Sequence, residues 1–216
     1  MKAHSERIPQ KNIKPFQNKP LFQWMLDSML TIKNIRNIII NTDNAKQFQD
    51  YKAFQDPRII TRKRKASLCG DFVSMNKIIA DDIQNIPADI YLMTHSTNPL
   101  LSKKTIESAL KTFIEKQNEN DSLFSVTPHQ KRFYKKDGTT INHASNELLR
   151  TQDLETWYEE NSCLYIFTKK SFESTNARIG KSPLLYETPY WESIDIDDPI
   201  SWTFAELVAN MKSKIS

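Results

Sequence analysis

Glycine is scarce in this chain, with three in 216 residues and none before residue 70. Loops that wrap phosphate groups by close backbone approach usually depend on glycine. The positively charged opening segment, residues 2–20, therefore does not form a Walker-type P-loop. Two interpretations remain for it: a loop whose N–H and ammonium groups converge on phosphates, or a charged N-terminal tail.

Metal-binding and membrane signals are also missing. Cys69 and Cys163 lie far apart without metal-type spacing, which predicts two reduced thiols, and the four histidines form no zinc pattern. No apolar run approaches the ~20 residues that cross a bilayer. The N-terminus has no apolar signal segment, so we expect a cytoplasmic protein without a membrane partner.

The composition, with 38% hydrophobic and 26% charged residues, predicts a soluble globular domain and not a disordered chain. We expect a single domain over residues 1–216. The formal net charge of +4 suits an anionic small molecule and is too modest to indicate nucleic acid. The basic run Arg62–Lys65 is most simply a solvated loop, with phosphate contact as the second interpretation and a nucleic-acid patch as the third.

Helical and strand periods alternate along the chain, which predicts an α/β, Rossmann-like fold: a mostly parallel sheet with helices on both faces. The pattern loosens over about 128–161, where Lys136–Gly138 predicts a hairpin turn, and such an excursion is typical of a lid or a subunit contact. The predicted strands are 37–43, 58–61, 89–94, 122–127 and 162–168. Four helices are predicted. The first begins at Pro20 and has an apolar stripe from Leu21 to Met29, and the second runs from its cap Asp71 to Ile86 with Met75 turned inward. The third runs from Ser102 to Ile114, and the fourth follows Asp198 and buries Phe204, Leu207, Val208 and Met211.

The segment Ser193–Pro199 carries a pair of acids at alternate positions. In an extended strand Asp195 and Asp197 share one face, roughly 6–7 Å apart, and repel unless a cation lies between them. Asp198 and Pro199 then predict the N-cap and first residue of a helix. A metal site and a solvated strand end are the two interpretations of this pair.

Four stretches in the same order resemble the acylneuraminate cytidylyltransferase family. The opening segment Lys2–Asn12, followed by Lys19–Leu21, is similar to the family's nucleotide loop, and Asn41–Asp43 to its Ser-Thr-Asp. His95–Leu100 stands in place of Gln-Pro-Thr-Ser-Pro-Leu, and Ser193–Asp197 matches Ser-Ile-Asp-Ile-Asp. Weaker matches fill the gaps, so the resemblance covers nearly the whole chain.

The resemblance implies transfer of CMP from CTP to the anomeric hydroxyl of an acidic nonulosonate or octulosonate sugar, with release of pyrophosphate. It implies the fold of the nucleotide-diphospho-sugar transferases and a homodimer in which the excursion reaches the partner's active site. Mg²⁺ would be held by Asp195 and Asp197, with Lys11 on the triphosphate. The implied nucleotide-binding residues are Lys2, Ser5, Lys11, Asn12, Arg64, Ser74, His95 and Thr97, and the implied sugar-binding residues are His95, Arg150 and Gln152.

The chain departs from the family at four points. The family's first apolar strand would lie upstream of Met1, so we expect that strand to be missing from these residues. Lys2 replaces an arginine and loses its bidentate fork, and His95 replaces a glutamine and brings a charge that would change near neutral pH. Ser162 replaces a common glycine. The alternative functions are a same-fold nucleotidyltransferase with another nucleotide or a sugar phosphate, and a catalytically weak nucleotide-binding homologue.

Overall fold

The computed structural model describes residues 1–2 and 5–215, so Ala3 and His4 of the opening segment lie outside the described residues. Five α-helices and eight strands alternate along it. The helices are α1 (Leu21–Leu30), α2 (Met75–Asn85), α3 (Lys103–Lys116), α4 (Lys169–Thr175) and α5 (Pro199–Ile215). The strands are β1 (Pro15–Phe16), β2 (Lys19–Pro20), β3 (Ile38–Thr42), β4 (Ile59–Lys63), β5 (Tyr91–Thr94), β6 (Ser122–His129), β7 (Trp157–Phe167) and β8 (Pro183–Glu187).

The larger sheet has the strand order β5-β7-β6-β8. β7 runs antiparallel to both β5 and β6, and β6 runs parallel to β8, so three strands share one direction. β3 and β4 form a separate parallel pair. The expected α/β class with parallel strands is confirmed, while β8 and the short helix α4 were not predicted.

Helices cover both faces of the larger sheet. Side chains alternate across a strand, and alternate residues of β7 pack into two different cores. Leu164 and Ile166 pack with residues of α1 and α3. Tyr165 and Phe167 pack with Ile79 and Ile83 of α2 and with Phe172 of α4. None of the described helices is both long and apolar enough to cross a membrane.

A third core joins the opening segment to the end of the chain. Ile8 and Phe16 are buried with Ile194, Ile196 and Trp202. The Phe16 ring meets the rings of Trp24 and Trp202 edge-on, with centroids 5.9 and 5.6 Å away. The charged-tail interpretation is therefore wrong: two apolar anchors and the β1–β2 ladder fold this loop onto the domain.

Two helices differ from their predicted form. Ser74, not Asp71, caps α2 by accepting a hydrogen bond from the Asn76 N–H, while Asp71 pairs with Lys2 at 2.9 Å. Met75 is exposed at the helix start rather than turned inward.

Of the four residues predicted to be buried in helix α5, Val208 alone packs against the third core. Trp202 and Ala205 face the core, whereas Phe204, Leu207 and Met211 are 47%, 57% and 62% exposed. The helix has two apolar stripes, and the stripe that contains Trp202 packs into the third core.

The excursion is built on the outer ends of β6 and β7, which pair from Val126–Glu160 to His129–Trp157 beyond a bulge. Ser162 lies at this bulge with a φ of +59°, a left-handed conformation that explains why glycine is favoured there. The predicted turn is present, since Gly138 has a φ of +83° and the Lys135 N–H donates to the Thr139 carbonyl at 2.8 Å.

Candidate active site

The acidic segment 193–197 belongs to no sheet, so the predicted strand is wrong. Two hydrogen bonds join it to the residues after β5: the Ile196 N–H donates to the Thr97 carbonyl at 2.8 Å, and the Asn98 amide donates to the Ile194 carbonyl at 3.4 Å. The predicted alternation nevertheless holds, because Ile194 and Ile196 are buried. The intervening acids therefore face the other way.

The start of α5 fixes the backbone position of Asp197, the second acid of the pair. Asp198 is the N-cap, as predicted, and its carboxylate accepts from the Ser201 N–H at 2.7 Å. The Ser201 hydroxyl accepts in turn from the backbone N–H of Asp197 at 2.9 Å. These reciprocal bonds hold the Asp197 backbone at the helix entrance.

The basic opening loop lies directly against Asp197. Lys11 Nζ donates to the Ile196 carbonyl at 2.7 Å and lies 3.3 Å from Asp197 Oδ1. Arg7 reaches Asp197 Oδ2 at 3.5 Å from a largely exposed position. The structure thus brings the cations of the opening loop and the late acid pair to one place, and Arg7 is a contact that sequence reasoning missed.

Asp195 is the more enclosed acid. Burial raises its pKa, a hydrogen bond from the Thr97 side chain opposes that shift, and the nearby Asp197 carboxylate adds to it. Its buried Oδ1 atom has no hydrogen-bond partner among the described residues. A buried, unpartnered carboxylate oxygen beside a second carboxylate is a donor set that fits a hard divalent cation.

No group of three or more His, Cys, Asp and Glu side chains in the described part of the chain is arranged to hold a metal. Two carboxylates alone suit Mg²⁺, which keeps several waters and binds substrate phosphates rather than an all-protein cage. The residues present therefore fit Mg²⁺ better than zinc, which favours nitrogen and sulfur ligands.

The nucleotide loop is tied to the segment after β5. The Ser96 hydroxyl donates to Asn12 Oδ1 at 2.6 Å, and the Asn12 amide donates to the Lys2 carbonyl at 2.8 Å. Ser5 is partly buried at the start of this loop. Asn12 thus links the start of the loop to the residues that follow β5.

His95 behaves differently from the sequence expectation. Burial, followed by the charge of Arg178, lowers the pKa of His95 to about 4, so the ring is neutral near neutral pH. Its Nε2 atom is buried, and no residue that the structure describes forms a hydrogen bond with it. The expected change of charge near neutral pH is therefore wrong, and a neutral imidazole replaces the neutral amide of the family's glutamine.

Arg64 and Ser74, expected near the cytidine, serve the fold in this structure. Arg64 is buried and donates to Asn41 Oδ1 at 2.8 Å and to the Asn41 carbonyl at 3.0 Å. Ser74 caps α2, as described above. Their contact with a nucleotide stays a prediction.

A pocket of about 380 Å³ opens beside Asp195. His129 and Glu159 lie in its wall with Nε2 and Oε2 2.6 Å apart, and Ser162 and Tyr190 line it as well. Sequence reasoning assigned none of these residues to the site, although it noted Ser162 as a replacement of glycine and although His129 and Glu159 lie in the excursion. Arg150 and Gln152 do not line this pocket: Arg150 is exposed and pairs with Asp153 at 2.6 Å.

Solved structures share this architecture and define the class of the fold. A CMP:2-keto-3-deoxy-manno-octonic acid synthetase complexed with CTP superimposes with a TM-score of 0.63 at 14% identity, covering 99% of this chain and 96% of that one. The 4-diphosphocytidyl-2C-methyl-D-erythritol synthase of Anaerococcus prevotii gives a TM-score of 0.70 at 12% identity, with 97% and 93% covered. The fold is that of the nucleotide-diphospho-sugar transferases.

The sequence comparisons then name the family. A family model described as cytidylyltransferase matches residues 1–188, and the chain belongs to that family. The chain is 23% identical over 215 residues to a pseudaminic acid cytidylyltransferase of Campylobacter jejuni, covering 94% of this chain and 91% of the relative. It is 27% identical over 228 aligned residues to the CMP-N,N'-diacetyllegionaminic acid synthase of Legionella pneumophila, with 99% and 95% covered.

Proposed function

We propose that this chain transfers CMP from CTP to the anomeric hydroxyl of an acidic keto-sugar, with release of pyrophosphate. The hydroxyl oxygen forms a bond to the α-phosphorus, the bond from that phosphorus to the leaving pyrophosphate breaks, and the hydroxyl loses its proton. The names of the relatives, which cite pseudaminic, legionaminic and manno-octulosonic acids, support a nonulosonate or octulosonate acceptor.

The contact between Lys11 and the segment 196–197 carries this proposal. Phosphoryl transfer needs little covalent chemistry from the protein and depends on charge neutralisation and alignment. In the proposed complex Lys11 and Arg7 turn from Asp197 to the phosphates, while Asn12 and the backbone of residues 5–12 surround them. The neutral His95 ring offers a hydrogen bond at the boundary between nucleotide and sugar without adding charge.

Mg²⁺ is the cofactor of this proposal, held by Asp195 and Asp197. When bound, it would neutralise phosphate charge and lower the pKa of the attacking hydroxyl. Asp195 contributes a carboxylate already shielded from bulk water, and Lys11 keeps Asp197 oriented before substrate arrives.

The pocket beside Asp195 is the proposed acceptor site. It places the imidazole of His129 and the carboxylate of Glu159 where sugar hydroxyls would lie, with the Tyr190 ring at the rim. The sugar's own carboxylate needs a cation, and Arg150 remains our candidate, acting from a second copy of the chain.

The active form is proposed to be a homodimer that joins through the excursion. Large apolar side chains are exposed on it, and exposed apolar surface is typical of an interface between proteins. The exposed group consists of Tyr134, Ile141, Leu148, Leu149, Trp157 and Tyr158. A cytoplasmic location remains the expectation for an enzyme that consumes CTP.

The oligomer is tested by sedimentation with two matched variants. Leu148→Glu places a charge on the excursion, and Ile200→Glu places one at an equally exposed apolar site on α5; the two side chains are 90% and 81% exposed. We expect the first change alone to shift the dimer toward monomer. A monomeric parent chain, or dissociation by Ile200→Glu only, would refute the excursion interface.

The reaction is tested by pyrophosphate release from four nucleoside triphosphates, each with Mg²⁺ and a panel of pseudaminic, legionaminic, sialic and octulosonic acids. We expect release with CTP and at least one of these acids, and none when Mg²⁺ is chelated. Release with another nucleotide only would indicate the same-fold alternative. Measurable CTP binding with no release for any sugar would indicate the weak homologue.

A further inference from the structure

Arg178 is a largely buried cation to which the proposed reaction gives no role. It follows α4 in the chain, and its backbone N–H donates to Asn76 Oδ1 of α2 at 3.4 Å. Its guanidinium lies over the Tyr165 ring, with Cζ 3.8 Å from the ring centroid, and its side chain is 21% exposed. Stacking on an aromatic face holds the plane of a guanidinium and the directions of its N–H groups. Arg178 is therefore a cation of fixed orientation.

A carboxylate of the chain itself contacts this guanidinium. Arg178 Nη2 lies 3.2 Å from Glu160 Oε1, and the same oxygen accepts a hydrogen bond from the Tyr165 hydroxyl. Burial, followed by this hydrogen bond, raises the pKa of Tyr165 to about 12, so the hydroxyl keeps its proton and is a donor near neutral pH. Arg178 and Tyr165 together thus form a site that binds a carboxylate, and we call it the Arg178–Tyr165 site.

The Arg178–Tyr165 site adjoins both regions that the proposed function assigns to substrates. Glu160 and Ser162 line the pocket proposed for the acceptor, and the Tyr165 hydroxyl donates to Ser162 Oγ at 3.3 Å. The charge of Arg178 is also the largest effect, after burial, that lowers the pKa of His95, which stands at the proposed boundary between nucleotide and sugar. A carboxylate of an acceptor in this pocket would therefore lie close to Arg178.

Glu160 can leave the site more easily than Arg178 can. Its side chain is 41% exposed, and an ion pair with an exposed partner contributes little to stability. Glu160 bonds Nη2 through one oxygen, whereas Nη1 faces the sulfur of Met93 at 4.0 Å, which is a weak acceptor. A carboxylate that enters from the pocket and bonds both Nη atoms would gain the bidentate contact that Glu160 does not make.

We propose that Arg178 and Tyr165 bind the carboxylate of the acidic sugar, and that Glu160 occupies their site until the acceptor displaces it. This inference rests on the proposed function, because it requires an acidic acceptor. It adds a cation of the same chain to Arg150, which the proposed function brings from a second copy. Recognition of the acceptor's negative charge then does not depend on the dimer contact alone.

The test measures pyrophosphate release by the full chain with CTP, Mg²⁺ and each acid of the panel, or its neutral C1 carboxamide. We expect the parent to prefer the acid. Arg178→Gln is expected to raise KM for the acid about 30-fold or more and to remove the preference for acid over carboxamide. KM for CTP should change by less than about threefold. Arg58→Gln is the matched control, since Arg58 is 30% exposed and pairs with Asp56 at 3.1 Å, and its KM for the acid should match that of the parent.

Two further variants decide the question if thermal unfolding shows that Arg178→Gln does not fold. Tyr165→Phe is expected to raise KM for the acid about tenfold. Glu160→Ala is expected to lower it, because the acid then displaces no carboxylate. An unchanged KM for the acid in both would overturn the proposal.

The outcomes separate this inference from the proposed function. A folded Arg178→Gln variant whose KM for the acid stays within about threefold of the parent, or rises equally for acid and carboxamide, refutes the inference alone. A parent chain that releases pyrophosphate with none of the acids refutes the proposed function and this inference with it.

Discussion

Replacing Lys11 by methionine removes an ammonium group that joins the opening loop to the acid segment. The side chain is 13% exposed, so methionine keeps most of its packing while deleting the bonds to the Ile196 carbonyl and Asp197. A hydrogen bond from a charged donor contributes about 1.5–3 kcal/mol. If the same group binds CTP phosphates in the transition state, a loss of about 3 kcal/mol lowers kcat/KM for CTP about 100-fold.

Lys14→Met is the matched control, because Lys14 belongs to the same loop and lies over the Trp202 ring at 4.6 Å instead of facing the acids. Pyrophosphate release is measured at varied CTP with saturating sugar, and thermal unfolding confirms that each variant is folded. We expect the control to stay within about threefold of the parent, as befits an exposed charge. A folded Lys11→Met variant with kcat/KM within threefold of the parent would refute the assignment of Lys11 to the phosphates.

Two further predictions concern stability. The Ser162→Gly variant should be more stable than Ser162→Ala by about 1 kcal/mol, because the φ of +59° strains any residue with a Cβ. At Ser28, inside α1, the alanine variant should be the more stable one. Urea unfolding of the four variants measures both differences. In a chain that begins at Met1, the pKa of the terminal amine is near 8.0 in the unfolded state and about 5 in the folded state. Between these two pH values the unfolded state binds more protons than the folded state. The free energy of unfolding therefore rises with pH across that window, by at most about 4 kcal/mol. The charged or titratable groups that act on the amine are Arg64, Asp43, Asp82 and His95, and the difference between the free and Nα-acetylated chains isolates its share; identical pH profiles for the two would contradict the buried amine.

Local sequence signals predicted the elements whose partners are close in sequence. Asp198 and Pro199 specified the start of α5, and Ser102 specified the start of α3, because a cap needs only the next three residues. The Ile-Asp alternation of 194–197 likewise predicted which side chains are buried. It could not predict that the segment bonds to the Thr97 carbonyl and the Asn98 side chain instead of a strand, since those partners lie about a hundred residues away.

The remaining errors have similar physical origins. Period alone cannot decide between the two apolar stripes of α5, and the choice depends on Phe16, which reaches Trp202 from the other end of the chain. The His95 pKa depends on burial and on Arg178, neither of which a sequence window contains. The pocket residues His129, Glu159 and Tyr190 come together only when β6, β7 and the turn before α5 meet.

The central claim is that Asp195 and Asp197 hold a divalent ion where the opening loop holds a triphosphate. The most direct measurement is the Mg²⁺ dependence of CTP binding by calorimetry and of pyrophosphate release, in the parent chain, in Asp195→Asn and Asp197→Asn, and in Glu115→Gln as an exposed control. Both asparagine variants are expected to fold, to lose at least 100-fold in turnover and to bind CTP equally with and without Mg²⁺, while the control matches the parent. Turnover by folded Asp195→Asn at the parent's rate and Mg²⁺ requirement would contradict the account.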